Sequence, residues 1–158
     1  MAKLAEEFFI VIGILVVIGV IALAVVNFFK PTGMVEVNVI RVLDNSIMIG
    51  NNCTAIIADT SPERADSIQL GLDKKISGRP NTHDTFAAVL KGFNITLEAV
   101  EITNYDKQFY YSNMIFSSGN QVVKLETLPS DGIAVALRTG SKVYINQTLL
   151  SEQGRNIC

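Results

Sequence analysis

Residues 128–145 read LPSDGIAVALRTGSKVYI, and this stretch decides the fold. Pro129-Ser130-Asp131 opens a helix that runs through Ala134, Leu137 and Arg138, and Gly140 ends it. Lys142-Val143-Tyr144-Ile145 follows at once as a strand, so a helix hands over directly to a sheet. Working back along the chain, Gln121 to Thr127, Gln108 to Ser117 and Asn94 to Thr103 are strands. Asn104-Tyr105-Asp106-Lys107 and Ser117-Ser118-Gly119-Asn120 join them as hairpin-length turns. Earlier still, Asn81 or Thr82 caps a helix bearing Phe86, Val89 and Leu90, terminated at Gly92. Ser61 caps another from Pro62 to about Leu72, with Ala65, Ile68 and Leu72 on one face. Met34 to Leu43 alternates Val35, Val37 and Val39 with Glu36 and Asn38, a half-buried strand closed by Asp44-Asn45-Ser46. Two more strands follow, from Ile47 and across Thr54 to Ala58. Runs of strands with interspersed helices predict an α+β fold, a mixed sheet with three short helices.

The whole chain has 158 residues, room for one domain with a real core. Hydrophobic residues make up 49% and charged residues 18%, which excludes a disordered tail, and the mean hydropathy of +0.34 tips toward a membrane. Phe8 to Val26 carries no polar side chain and as a helix would span roughly 28 Å, close to a bilayer core. The expected organisation is therefore a transmembrane helix in residues 1–30, a hinge at 31–33 around Pro31 and Gly33, a domain at 34–150 and a tail at 151–158. Membrane lipid is thus an expected partner, and the protein is expected to be single-pass. The segment Leu4-Ala5-Glu6-Glu7-Phe8-Phe9 also resembles the amino-terminal helices of archaeal type IV pilins, which implies a filament subunit as a further alternative.

Flanking charge does not orient the span, because Lys3 opposes Glu6 and Glu7 while Lys30 and Arg41 oppose Glu36. Three sequons, at Asn52, Asn94 and Asn146, lean the domain to the extracytoplasmic side. Cys53, in an apolar neighbourhood, reads as a small buried hydrophobe, and Cys158 as a mobile terminal residue. A disulfide between them would suit an outward-facing domain.

Three stretches together resemble the bifunctional nuclease family, small α+β domains that act on RNA and DNA. They are Gly78-Arg79-Pro80-Asn81-Thr82-His83-Asp84, the strand Leu97 to Thr103 with its hairpin, and the 128–145 stretch; the resemblance covers about residues 34–150. It implies a nuclease with Arg79 and Arg138 on phosphate, and with His83, Asp84 and Asp131 in proton transfer or metal binding, Mg²⁺ being the metal that two Asp carboxylates would hold. Such domains tend to self-associate.

Three positions depart from the family pattern, and the first two put an acid–base role in doubt. Where the family has a glycine before the proline and a glutamate two residues after it, this chain has Ser61 and Arg64, so a carboxylate has become a cation. Glu63 would compensate only in a shifted register, since adjacent helical residues point about 100° apart. Gly132 in place of the usual alanine costs the third helix about 0.5–1 kcal/mol.

The residues by themselves support less chemistry than the family does. His83 is the only histidine, and with Asp84 it sits where polar groups satisfy a helix start. Arg79 and Arg138 equally suit salt bridges to Asp84 or Asp131. Lys74-Lys75 is the only basic doublet, and a net charge of -2 gives no field for tracking phosphates. Tyr105, Phe109, Tyr110 and Tyr111 are placed for cross-strand packing more than for base stacking. These residues favour a membrane-anchored non-catalytic accessory or scaffold subunit, partnered by other membrane subunits or by itself. A membrane-tethered nuclease is the alternative, with nucleic acid as its partner.

Overall fold

A computed structural model describes residues 11–17 and 31–158. Gly33–Cys158 forms one compact unit, and residues 11–17, helical with exposed side chains, belong to another. Most of the expected membrane span lies outside the described residues. Among the described residues no helix is long and apolar enough to cross a membrane.

The Gly33–Cys158 unit holds eight strands: β1 Met34–Leu43, β2 Ser46–Asn51, β3 Thr54–Asp59, β4 Thr96–Tyr105, β5 Tyr110–Ser118, β6 Gln121–Thr127, β7 Lys142–Asn146 and β8 Arg155–Asn156. They form one sheet in the order β6-β5-β4-β7-β1-β2-β3-β8. All neighbours are antiparallel except β4 and β7, which run parallel from Ala99↔Lys142 to Ile102↔Ile145. The helices are α1 Pro62–Leu72, α2 Thr82–Gly92, α3 Pro129–Thr139 and α4 Gln147–Gln153.

The expected α+β class with a mixed sheet is what the chain adopts, with one correction. There are four helices in this unit, not three. Residues 147–153, which carry no helical apolar period long enough to read, form α4 because Asn146 Oδ1 accepts from the backbone N–H of Thr148 and Leu149. Leu149 and Leu150 then bury in the core. The chain's last residues are also ordered by partners distant in sequence, since β8 pairs with β3 at Ala55↔Arg155 and Thr54↔Asn156. Cys53 is not a buried hydrophobe: it is exposed in the β2–β3 turn and disulfide-bonded to Cys158, 105 residues away in sequence.

α3 is the central helix. Ile133, Ala134, Val135 and Ala136 on it are at most 2% exposed, and they pack with Val100 and Ile102 of β4 and Ile145 of β7. Gly132 has a physical reason beyond helix propensity, because a Cβ there would lie 2.8 Å from Val100 Cγ1. Its absence lets the first turn of α3 sit down on β4. α1 crosses α3 at a second glycine, Gly71, where a Cβ would come within 3.0 Å of Arg138 Nη1 and Leu137 Cβ. That close crossing brings the polar side chains of α1 and α3 within hydrogen-bonding reach.

Candidate functional site

Three helix starts meet in this unit. α1 begins as expected, with Ser61 Oγ accepting from Arg64 N–H and Pro62 at the first position, so its register is unshifted. α2 begins with Asn81 as the cap: Asn81 Oδ1 accepts from Asp84 N–H, and Asp84 Oδ2 accepts from Asn81 N–H. α3 begins at Pro129 with Asp131 in its first turn.

Between them lies an open groove of about 310 Å³ lined by Glu63, Arg64, Ser67, Asn81, Thr82, His83 and Asp131. Arg64 Nε donates to Asp131 Oδ1 at 3.0 Å, and His83 Nε2 lies 3.4 Å from the same oxygen. The pair is half open to water, with 40% of the Arg64 side chain and 31% of the Asp131 side chain exposed. The cation where the family has a glutamate thus reaches the candidate carboxylate. Glu63 lines the groove as well, but Arg64 makes the contact.

Beneath the groove is a second, closed cluster. Arg138 Nε donates to Asp84 Oδ1 at 2.6 Å, with side-chain exposures of 8% and 7%. Its Nη1 donates to the carbonyls of Ser67 and Ala134, and its Nη2 to Ser67 Oγ. Burial pushes the Asp84 carboxyl upward, but the Arg138 hydrogen bond, the Asn81 N–H and the guanidinium charge outweigh it and hold the group below its ordinary 3.8.

Ser67 joins the two clusters. Its hydroxyl oxygen accepts from Asn81 Nδ2 at 3.0 Å and Arg138 Nη2 at 3.2 Å, which uses both lone pairs. Its one proton is then donated to His83 Nδ1, 2.9 Å away. The neutral imidazole therefore carries its proton on Nε2, facing Asp131. Ser67, His83 and Asp131 make a contiguous chain, yet Ser67 is 3% exposed with its lone pairs taken, so it is a positioning group and no nucleophile.

The candidates of the sequence separate accordingly. His83 and Asp131 come together in the groove. Asp84 and Arg138 come together beneath it, with both Asp84 oxygens bonded. Arg79 is exposed in the loop before α2 and makes no ion pair among the described residues. The donor set does not fit Mg²⁺: Asp84 spends its oxygens on Arg138 and Asn81, Asp131 shares one with Arg64, and no cluster of three or more His, Cys, Asp or Glu occurs among the described residues.

Arg64 stood out in the sequence as a departure but not as a groove residue. Ser67 gave no signal, because a serine inside a helix usually faces solvent or its own backbone. Of the hairpin aromatics, Tyr105 and Tyr110 stack at a centroid distance of 4.5 Å, and Tyr111 Oη donates to Asp106. Phe109 stays 56% exposed.

The family of this α+β domain is shown by comparison with known proteins. The bifunctional nuclease domain profile matches residues 50–157, and the chain belongs to that family. It is also similar to two uncharacterized proteins of Mycobacterium tuberculosis, from strains CDC 1551 / Oshkosh and ATCC 25618 / H37Rv. Each is 30% identical over 76 residues, which is 48% of this chain. The match spans 44% of either relative's length.

Proposed function

We propose that this chain is a non-catalytic accessory or scaffold subunit, held at a membrane by residues 8–29, that uses a bifunctional nuclease fold for assembly. The observation that carries the non-catalytic reading is the 3.0 Å contact of Arg64 Nε with Asp131 Oδ1. A permanently charged guanidinium takes up one Asp131 oxygen and, at that distance, repels a divalent cation approaching the other, which disfavours a metal ligand at this carboxylate. The anchor is supported by the nineteen-residue apolar run Phe8–Val26. An extracytoplasmic domain is supported by the Cys53–Cys158 disulfide, a bond that persists in oxidising compartments, and by exposed sequon residues Asn52 and Asn94. Membrane lipid and other membrane subunits or a second copy are its partners in this reading.

A tethered nuclease is the second reading. It is favoured by the convergence of Arg64, His83 and Asp131 in one groove, where a phosphodiester would meet a cation, an N–H donor and a carboxylate. The discriminating experiment is a nuclease assay of the purified chain on RNA and DNA, with and without Mg²⁺, beside His83→Ala, Asp131→Ala and Arg64→Glu. The accessory reading expects wild type to cleave no faster than the first two variants. Cleavage that either alanine abolishes overturns it. For the anchor, the chain should pellet with membranes and be released by detergent but not by high salt; release by salt alone rejects the span.

A further inference from the structure

We propose that β6 is a self-association edge, along which two copies of this chain pair antiparallel about a two-fold axis at Leu125 to continue the sheet from one molecule into the next. β6 is the terminal strand of the sheet. It is open on both faces, with Val122, Val123 and Leu125 exposed by 67%, 48% and 51%. Open, apolar edge strands are what proteins ordinarily shorten, cover or protect. The opposite edge, β8, has two residues and is fixed beside the disulfide.

The free hydrogen-bonding groups of β6 follow from its hairpin. Gly119-Asn120 is a two-residue turn with Gly119 at φ +56°, so Ser118↔Gln121 is a hydrogen-bonded pair. Bonding then recurs at every second pair: Phe116↔Val123, Met114↔Leu125 and Ser112↔Thr127. Val122, Lys124 and Glu126 consequently turn their N–H and C=O groups to the open edge.

The charges choose the partner and the register. A two-fold axis perpendicular to the sheet keeps faces matched, so only registers centred on a residue are allowed. Centring on Lys124 sets Lys against Lys, and centring on Glu126 sets Glu against Glu. Centring on Leu125 sets Lys124 opposite the second copy's Glu126 twice, Val123 opposite Thr127, and Val122 opposite Leu128. Lys124 and Glu126 are also residues whose edge groups are free to bond. Val122 of the second copy then falls beside the groove of about 420 Å³ that Phe109 and Leu128 line. A single strand thus supplies both halves of a complementary surface, which designates a second copy rather than an unrelated chain. The alternative role of Lys124 is edge protection, which predicts no pairing.

This inference rests on the assembly reading above for its biological sense, but cleavage assays test the groove and the following tests the edge, so either fails alone. The two native cysteines are bonded to each other, so Leu125→Cys in the full chain adds a lone thiol at the proposed axis. Mild oxidation in native membranes should give a disulfide-linked dimer. Ile40→Cys, exposed on interior strand β1, reports random collision. Adding Glu126→Lys to Leu125→Cys leaves the Lys124–Glu101 bond of each copy in place and turns two opposite-charge pairs into like-charge pairs. The cross-linking rate should fall about tenfold, with the melting temperature unchanged. Cross-linking of Leu125→Cys no faster than Ile40→Cys, or indifferent to Glu126→Lys, overturns the proposal.

Discussion

Two Arg–Asp pairs lie within one helix layer of this domain, and they differ in almost nothing but water. Arg138–Asp84 joins α3 to α2 with both side chains under a tenth exposed, while Arg64–Asp131 joins α1 to α3 with roughly a third or more of each exposed. The buried pair is saturated: Arg138 makes four hydrogen bonds and both Asp84 oxygens are taken. The open pair keeps Asp131 Oδ2 and the Arg64 Nη groups free of hydrogen bonds among the described residues. Identical chemistry is therefore structural where it is closed and addressable where it is open. In this chain the loop and helix starts that read as catalytic motifs hold both kinds, and motif matching does not tell them apart.

The largest break in the comparison should come from the closed side. Arg138→Ala leaves the buried Asp84 carboxylate without its cation and Ser67 half-satisfied, an imbalance of about 3–5 kcal/mol. The melting temperature should drop by on the order of 10 °C, read by circular dichroism. A change within experimental error would show that the corner tolerates an unpaired carboxylate and that burial is not what distinguishes the pairs.

Acid should find the same corner next. Asp84 is held below its ordinary 3.8 when folded, so its contribution to stability is complete above that value and is lost as pH falls through the lower, folded value. Stability measured by urea titration should decline below about pH 4 in wild type. In Asp84→Asn, which starts less stable, this part of the decline should be missing. An equally steep acid limb in the variant would assign it to other carboxylates, of which exposed Asp106, held low by the N–H groups of Phe109 and Gln108 and by Tyr111, is one.

How far the sequence carried this picture depends on the range of the interactions. The caps at Ser61 and Asn81, the Pro129 helix start and the β1 alternation are local, and each is found where its residues put it. The pairing of β8 and the bond from Cys53 to Cys158 close a loop of over a hundred residues, and nothing near either cysteine announces the other. Asn146, which looked like the end of a strand or a sequon, is the cap that starts α4. In the site, Asp131 and His83 were legible as polar residues at helix starts, but Ser67 became a three-way junction only when Gly71 let α1 and α3 approach. The sign of Gly132 was likewise hidden, since a helix-propensity cost is visible in sequence and a clash with Val100 is not.

The open pair should respond far less. Arg64→Ala removes an ion pair that water already screens, so the stability change should be about 1 kcal/mol or less. Equilibrium unfolding of Arg64→Ala and Arg138→Ala side by side gives the contrast directly. A loss at Arg64 as large as that at Arg138 would mean the groove residues are as structural as those beneath, and the site would contract to His83 alone.

The smallest effect is a proton's position. Ser67 Oγ has its two lone pairs filled by Asn81 and Arg138, so its hydrogen must point at His83 Nδ1, and the ring proton must sit on Nε2. Asp131 lies at the Nε2 side at 3.4 Å, a contact too long to be what selects the tautomer. Asp131→Asn should therefore leave the tautomer as it is, because the Ser67 hydrogen bond to Nδ1 is untouched. Ser67→Ala should release it, since Nδ1 then loses its donor and either nitrogen is free to carry the proton. Nitrogen-15 shifts of the single histidine in alkaline buffer distinguish the two forms without assignment work. Wild type and Asp131→Asn showing the Nε2–H pattern, with Ser67→Ala showing a mixture, is the expected result. An Nδ1–H pattern in wild type would reverse the direction of the Ser67 hydrogen bond. It would then leave three donors converging on one hydroxyl, and the link between the buried corner and the open groove would have to be abandoned.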